Sequence, residues 1–531
     1  MPLSSPESKL VANNDHLSQT SLLANVIKIY MKLDSWPSLL EIFKFANICK
    51  LLIKNGFKFK NHPQSLYHTI GHAMLAAVMC SLRRNCSIDH AYVEYVMLCS
   101  FEGVVACSHR TFSRAFAQKH ALSKTMYQLS LQVSEALQKE FYERDMQTFS
   151  RKIIECLKQV DGNITRFLAL DGCEITLGRE PNSGETKGKT KPGRKVHTAI
   201  DIGSETITNY KIGSANSNEK EAAIEMIQND PKARGTVWLA DAGYLDAKLQ
   251  QCIADTGGYF LIKSKYNINP QCIKVTEYDV YLGDNDVYYI DPVGKDTEFE
   301  HARPLSEVIP KGNNCPVITG PNGRLIGRSY VITRADGTKV FMIFNPTNKS
   351  FNDSNLRTSW VYFESNLSDA INIELIGAIY RLRWQIELKF LCLKSHNGWA
   401  RTPDANYQVC DLFVSASIIG DDIKHFIAMV AMDGTKALNN ENEQQSDILH
   451  DLSKEKAASH LENDANMYML THIPKGHLVS RKAKRIDQDR NKAIAKAVTY
   501  SRPSKHTIKT GKSVKSTLDV VQQQANALKS A

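Results

Sequence analysis

A chain of 531 residues is too long for one ordinary core and points to two to four domains. Its hydrophobic fraction of 42% is that of a water-soluble globular protein, and its longest apolar runs, AMLAAVMC and LFVSASIIG, are far too short for a membrane span. The net charge of +10 is concentrated near one end: thirteen Lys and Arg between Lys475 and Lys515 face only Asp487 and Asp489, and the remainder sums to −1.

The first residues, MPLSSPESKLVANNDHLSQTS, are polar, have no apolar core and do not read as a secretory signal. Residues 1–20 are expected to be disordered. From 21 to 160 the apolar residues recur at helical spacing, as in SLLEIFKFANICKLLI, GHAMLAAVMCSLRR and MYQLSLQVSEALQKEF, which predicts a helical domain. Within it, SHRTFSRAFAQKHALSKTMYQL reads as two short helices around a turn, with Arg110, Arg114, Lys119 and Lys124 outward. A DNA-reading module and a solvated basic helix face fit this pattern equally well. His68 and His72 have the spacing of helical metal ligands but no third ligand, and read as ordinary helix residues. The twelve cysteines form no CxxC pair and suit free thiols in a reducing cytoplasm.

Near residue 165 the period changes. RFLALDGCEITL is a predicted central strand that carries Asp171. A basic loop follows, with Lys187, Lys189, Lys191, Arg194 and Lys195. KVHTAIDIG and ITNYKIGSA read as two more strands, and NEKEAAIEMIQND as a helix. GTVWLADAGYLD is a buried strand ending at Asp241 and leading into a helix, and GGYFLIKSK is a fifth strand ending in Lys263 and Lys265. Three strands, helix, strand, helix, strand is the order of a ribonuclease-H-like fold, a mixed sheet with carboxylates on neighbouring central strands.

From 266 to 365 short alternating segments with Gly, Asn and Asp turns predict a β-rich insertion, whose last strand, SWVYFES, carries Trp360. AIYRLRWQIELKFLCLKS is then predicted as one helix. Tyr380, Arg383, Glu387 and Lys394 share one side of it, and Ile379, Leu382, Ile386, Phe390 and Leu393 form the buried side. A carboxylate among cations suits a phosphodiester, because a metal ion on the carboxylate and the cations beside it can hold phosphate. An exposed amphipathic helix with i,i+4 pairing would use the same residues. VCDLFVSASIIGDDIKHFIAMVAM closes the catalytic unit. Residues 433–470 read as a polar linker, ahead of a basic tail suited to nucleic acid.

Tyr380, Arg383, Glu387 and Lys394 match the Y-(2)-R-(3)-E-(6)-K pattern of bacterial insertion-sequence DDE transposases of the insertion-sequence-four type. Asp171–Gly172 resembles the first Asp-Gly of that family, and Asp241, Gly243 and Tyr244 its D-x-G-Y stretch. Cys173 stands where the family often has Thr or Ser. The resemblance covers about 165 to 400. It implies a catalytic core at 161–265 and 366–430, interrupted by the insertion at 266–365, with 431–531 as linker and basic tail.

The resemblance also implies an activity: metal-dependent cleavage of transposon DNA ends and strand transfer into target DNA, a cut-and-paste transposition. Asp171, Asp241 and Glu387 would be catalytic and would bind two Mg²⁺ ions, with Mn²⁺ as a substitute. Oxygen ligands without clustered His or Cys favour those metals. Tyr380, Arg383, Lys394, Lys263 and Lys265 would contact DNA, and Trp360 would stack on a base turned out of the duplex. The partners would be double-stranded DNA, as terminal inverted repeats and target, and a second copy of the chain in the DNA complex. The location would be a bacterial nucleoid in the cytoplasm. The rival readings are a decayed or domesticated DNA-binding protein and a purely hydrolytic ribonuclease-H-like nuclease.

Overall fold

In the computed structural model the described residues run from 41 to 439, except 44, 58–63, 83–86, 103–104, 147, 177–185, 188–190, 266–267, 283–287, 310–318, 321–322, 345–359 and 400–405, with residues 522 and 526 beyond them. The N-terminal segment expected to be disordered, the basic tail and most of the polar linker lie outside the described residues.

Helices α1 (Phe45–Lys54), α2 (Gln64–Leu82), α3 (Ile88–Glu102), α4 (His109–Ala115) and α5 (Lys119–Glu143) form an apolar core of their own. In α5, Leu122, Met126, Leu129, Val133 and Leu137 recur every three or four residues and are all buried, which fixes the face it turns inward. The Ser108 side chain caps α4 by accepting the Thr111 N–H. The predicted pair of short helices is one short helix, a 3₁₀ turn at Phe116–Gln118 and then α5, which continues for 25 residues. Arg110, Arg114 and Lys124 are exposed, and Lys119 is half-buried.

After α6 (Phe149–Val160) come β1 (Arg166–Thr176), β2 (Lys191–Asp201) and β3 (Ile207–Ser214), then α7 (Glu219–Gln228), β4 (Thr236–Ala240), α8 (Ala247–Asp255) and β5 (Tyr259–Lys263). The insertion supplies β6 (Gln271–Leu282), β7 (Tyr288–Pro304), β8 (Gly323–Arg334), β9 (Lys339–Phe344) and β10 (Trp360–Ser365). All belong to one sheet, in the order β3-β2-β1-β4-β5-β10-β9-β8-β6-β7. β1 is parallel to β4 and β4 to β5, because α7 and α8 return the chain to the same end each time; the other neighbours run antiparallel. The β-rich insertion thus extends the same sheet, joined where β10 pairs with β5.

Strand alternation sorts the faces. Phe167, Ala169 and Cys173 pack with α6, α9 (Ile373–Arg381), α10 (Trp384–His396) and α11 (Tyr407–Asn439). Leu168 and Leu170 pack with α7 and α8 on the other face. α11 serves two cores. Leu412, Phe413, Ala416 and Ile419 join the helical core, while Cys410, Val414 and Ile418 face the sheet. Residues 433–439, read from sequence as the start of a linker, are the last turns of α11.

A second correction concerns the helix predicted around residue 380, which is two helices, α9 and α10. At their junction the backbone closes i→i+3 bonds, with Leu382 N donating to Ile379 O at 3.0 Å, Arg383 N to Tyr380 O at 3.1 Å and Ile386 N to Arg383 O at 3.1 Å. The tighter turn lets Leu382 stay buried while Arg383 reaches acids on both sides. The apolar face is as predicted: Ile379, Leu382, Ile386, Phe390 and Leu393 are all buried.

α10 is anchored by a buried ion cluster. The Lys389 ammonium lies 2.6 Å from both Asp421 Oδ2 and Asp422 Oδ1 on α11. Ser134 of α5 donates to Asp422, and Asn397 Nδ2 donates to Asp421 Oδ1 at 2.6 Å. Burial works against the charge on Lys389, but the two carboxylates hold it protonated.

Candidate active site

The sheet register assembles the site. Leu170 is opposite Ala240, and Ala240 opposite Ile262, so the next residues along three adjacent parallel strands are Asp171, Asp241 and Lys263. β4 and β5 end at this level, while β1 runs on to Thr176 but loses its parallel partner after Leu170, so Asp171 lies beside the carboxyl ends of its neighbours, where open α/β sheets carry sites. Asp171 Oδ1 accepts the Gly172 N–H at 2.7 Å, and Asp241 Oδ1 accepts the Gly243 N–H at 2.8 Å.

α10 brings Glu387 to the same place. The Arg383 guanidinium reaches Asp171 Oδ2 at 3.5 Å through one nitrogen and pairs with Glu387 through the other. It also lies 5.7 Å from the centre of the Tyr380 ring. Burial works against its charge, while Tyr380, Glu387 and Asp171 hold it protonated. Burial pushes the Tyr380 hydroxyl up to about 12. Lys394, one helical stretch further on, sets its exposed ammonium beside the Cys173 thiol, two residues along β1 from Asp171.

The other predicted DNA contacts lie at or near this end of the sheet. Lys263 and Lys265 are exposed. Phe363 is opposite Lys263, so Trp360, three residues earlier on the antiparallel β10, projects about 10 Å past the strand ends. Its indole N–H donates to Arg328 O at 2.9 Å and its ring packs edge-on against Phe344, so it is a fixed, half-buried sheet residue.

Asp171 titrates unusually. Burial is the main cause lifting its pKa to about 6; the Gly172 N–H and Arg383 pull it down, and Asp241 and Glu387 push it up. A carboxyl whose folded pKa exceeds its unfolded value binds more protons when folded. Its contribution to stability is therefore complete below about pH 4 and is lost as pH rises through about 6. The expected result is that the metal-free wild-type protein melts at a lower temperature at pH 7.5 than at pH 5, and that Asp171→Asn removes most of this difference and is the more stable form at pH 7.5. Parallel pH profiles for the two proteins would show that Asp171 is not the group responsible.

The donor set has the chemistry of a hard divalent-cation site, three carboxylates at one end of the sheet, two of them bridged by a single guanidinium. Among the described residues, however, no group of three His, Cys, Asp or Glu side chains stands close enough together to hold an ion. Arg383 explains the spacing, since it occupies the gap between Asp171 and Glu387. The residues fit such a cation in kind, and Arg383 would have to yield the gap to it.

Residues 163–403 match the sequence model of the family described as Transposase DDE domain. Those residues, less than half of the chain, are similar to that domain. The limits of the match fall close to the span of the resemblance read from the motifs. No curated protein matches the chain. A solved piggyBac transposase synaptic complex with hairpin DNA is 13% identical, covering 91% of this chain and 86% of that one, with a TM-score of 0.38. At that score the likeness locates no function. No helix among the described residues is long and apolar enough to cross a membrane.

Three residues near the site were given no part in it from the motifs, although Lys195 stood out as one of a basic run. Trp384, next to Arg383 and one helical turn before Glu387, is 56% exposed, which is unusual for the largest apolar side chain. Glu219 and Lys195 form an ion pair of 2.5 Å beside Gly172. Trp384 was legible as a Trp amid the charged positions of the signature. The other two are 24 residues apart, and no local pattern connects them. The remaining acids near the motifs have structural partners. Asp201 is buried and accepts from Tyr142 Oη at 2.9 Å and Ser204 N at 2.7 Å, and Asp246 caps α8.

Proposed function

We propose that the chain is a DDE transposase of the insertion-sequence-four type, which cleaves transposon ends and joins them to target DNA on a ribonuclease-H-like core. The observation that carries this reading is that Asp171 of β1 has Asp241, which follows β4, and Glu387 of α10 near it, with Arg383 bridging Asp171 and Glu387. The mixed order β3-β2-β1-β4-β5, with α7 and α8 as crossovers, supports the core assignment. A DNA-binding protein without catalysis has no use for acids gathered near one guanidinium, since carboxylates repel phosphate.

Asp171, Asp241 and Glu387 would hold two divalent cations, Mg²⁺ or Mn²⁺, which when bound lower the pKa of a water and stabilise the leaving oxygen. The chain's own groups have separate tasks. Arg383 offers two parallel donors, and once released from the acids it can grip the phosphate next to the cut bidentately. Tyr380 braces that guanidinium from one side. Lys394, Lys263 and Lys265 supply single-point contacts to flanking phosphates. Two copies of the chain would be needed to bring two ends together.

The test is incubation of the full chain with a plasmid carrying the DNA that flanks its coding sequence, with and without Mg²⁺. The expected result is Mg²⁺-dependent release of the flanked segment and its joining to a second plasmid. Cleavage without joining would favour the hydrolytic nuclease.

For base stacking, exposure favours Trp384 over Trp360, whose indole is already committed. Stacking on an unpaired base is worth roughly 1–3 kcal/mol. Trp384→Ala is therefore expected to slow the later cleavage steps by about tenfold or more relative to first-strand nicking, and Trp360→Ala chiefly to lower stability. A Trp360→Ala protein of normal melting temperature that fails only in the later steps would restore the sequence-based assignment.

A further inference from the structure

Two glycines beside the acids leave room for a side chain from the opposite face of the sheet. A methyl group on Gly172 would lie 2.9 Å from Glu219 Oε1 and 3.0 Å from Lys195 Cε. A methyl group on Gly243 would lie 3.0 Å from Asp241 Oδ1 and 3.2 Å from Glu219 Oε2. The Glu219 carboxylate therefore spans from the Asp171 strand to the Asp241 turn, and both positions can be read as glycine because it is there. Glu219 is the first residue of α7, placed by the cap that Asn218 makes with the Lys220 N–H. Lys195 comes from β2, where it is opposite Glu174 of β1. The pair is largely buried, with side-chain exposures of 15% for Lys195 and 27% for Glu219.

The charge balance gives this pair a purpose. Asp171, Asp241 and Glu387 carry three negative charges against Arg383, and a DNA phosphate adds another. An unpaired lysine beside the acids would repel an incoming cation. Paired to Glu219, it is electrically silent at rest but retains two further N–H donors. We propose that Lys195 is a phosphate-contact residue of the site and that Glu219 is its positioning residue, so that DNA is gripped from the α7 face as well as from the α10 face. The proposal rests on the transposase reading and adds a residue pair that the four-residue signature does not contain.

The alternative is an ion pair that only ties α7 to β2. Half-buried pairs of that kind contribute modestly to stability and leave DNA binding unchanged. The test measures the salt dependence of binding to a labelled duplex copied from the DNA flanking the coding sequence, together with kcat and KM for its Mg²⁺-dependent cleavage. Lys195→Ala should flatten the log–log salt slope by about one unit and raise KM, and Lys195→Arg should restore the slope. Glu219→Gln keeps the ammonium but not its tether, so it should keep the slope and lower kcat by roughly ten- to a hundredfold. Gly172→Ala meets only side-chain ends and should fold, yet displace the pair and lower kcat similarly. If Lys195→Ala does not fold, Lys195→Gln keeps the stem and replaces it. A wild-type slope in the Lys195 variant, or a fall in melting temperature with slope and kcat intact, overturns the proposal. Failure of the wild-type protein itself to cleave in Mg²⁺ would instead overturn the transposase reading.

Discussion

Asp171→Asn, Asp241→Asn and Glu387→Gln are each expected to lower Mg²⁺-dependent cleavage by about a thousandfold or more while DNA binding persists, since removing one member of a cooperative catalytic group costs nearly as much as removing all of them. The substitutions preserve shape and remove one charge each. Asp171 and Asp241 also accept backbone N–H bonds that an amide oxygen can still accept, so the strand ends should hold their form. Glu387→Gln differs in one respect: it releases Arg383 from its i,i+4 partner, leaving Asp171 as its carboxylate contact. That variant should bind DNA slightly more tightly than the wild type. A gel-shift titration beside a single-turnover cleavage assay checks all three. Wild-type cutting by any one variant would remove that residue from the site.

Lys389→Met should be the most damaging substitution to the fold outside the apolar cores. It removes the cation that both Asp421 and Asp422 face at 2.6 Å, and leaves two buried carboxylates with weaker partners. Removing one member of a buried ion pair typically costs about 3–5 kcal/mol. Denaturant unfolding measures the loss directly. A shift below about 1 kcal/mol would mean that water or backbone movement relieves the carboxylates. The pairing of Lys389 with Asp422→Asn should cost less than the two single changes added together, because they share one interaction. There is a functional consequence as well. Lys389 is two residues from Glu387 on the same helix, so the cluster that ties α10 to α11 and α5 also fixes the depth at which Glu387 enters the site.

The candidate acids and Arg383 stood out in the linear order. Local signals located the apolar strands, because alternation is a property of neighbouring residues, but Lys191, Arg194 and Lys195, read as part of a basic loop, belong to β2, where pairing with β1 rather than apolar pattern holds Arg194 and Lys195 extended. The gaps of 70 and 146 residues between the acids already required an insertion before the glutamate. The continuous helix around residue 380 was an overreach. Periodicity gives the faces of a helix but not the hydrogen-bond pattern of each turn, and here contacts to Asp171 and Glu387 accompany a tightened turn. That the Trp360 indole N–H is tied was hidden for the same kind of reason, since it depends on a carbonyl, that of Arg328, 32 residues away.

By itself the sequence determined which faces of the strands and helices are buried and which residue types suit a phosphodiester, because both follow from chemistry within a few residues. Only the tertiary structure decided that the insertion extends the sheet of β1–β5, that α11 belongs to two cores, that Arg383 occupies the gap between two acids, and that Lys195 and Glu219 reach Gly172 from behind. Those facts depend on strand register and crossover geometry, which bring together residues tens to hundreds of positions apart that carry no mark of one another in the chain.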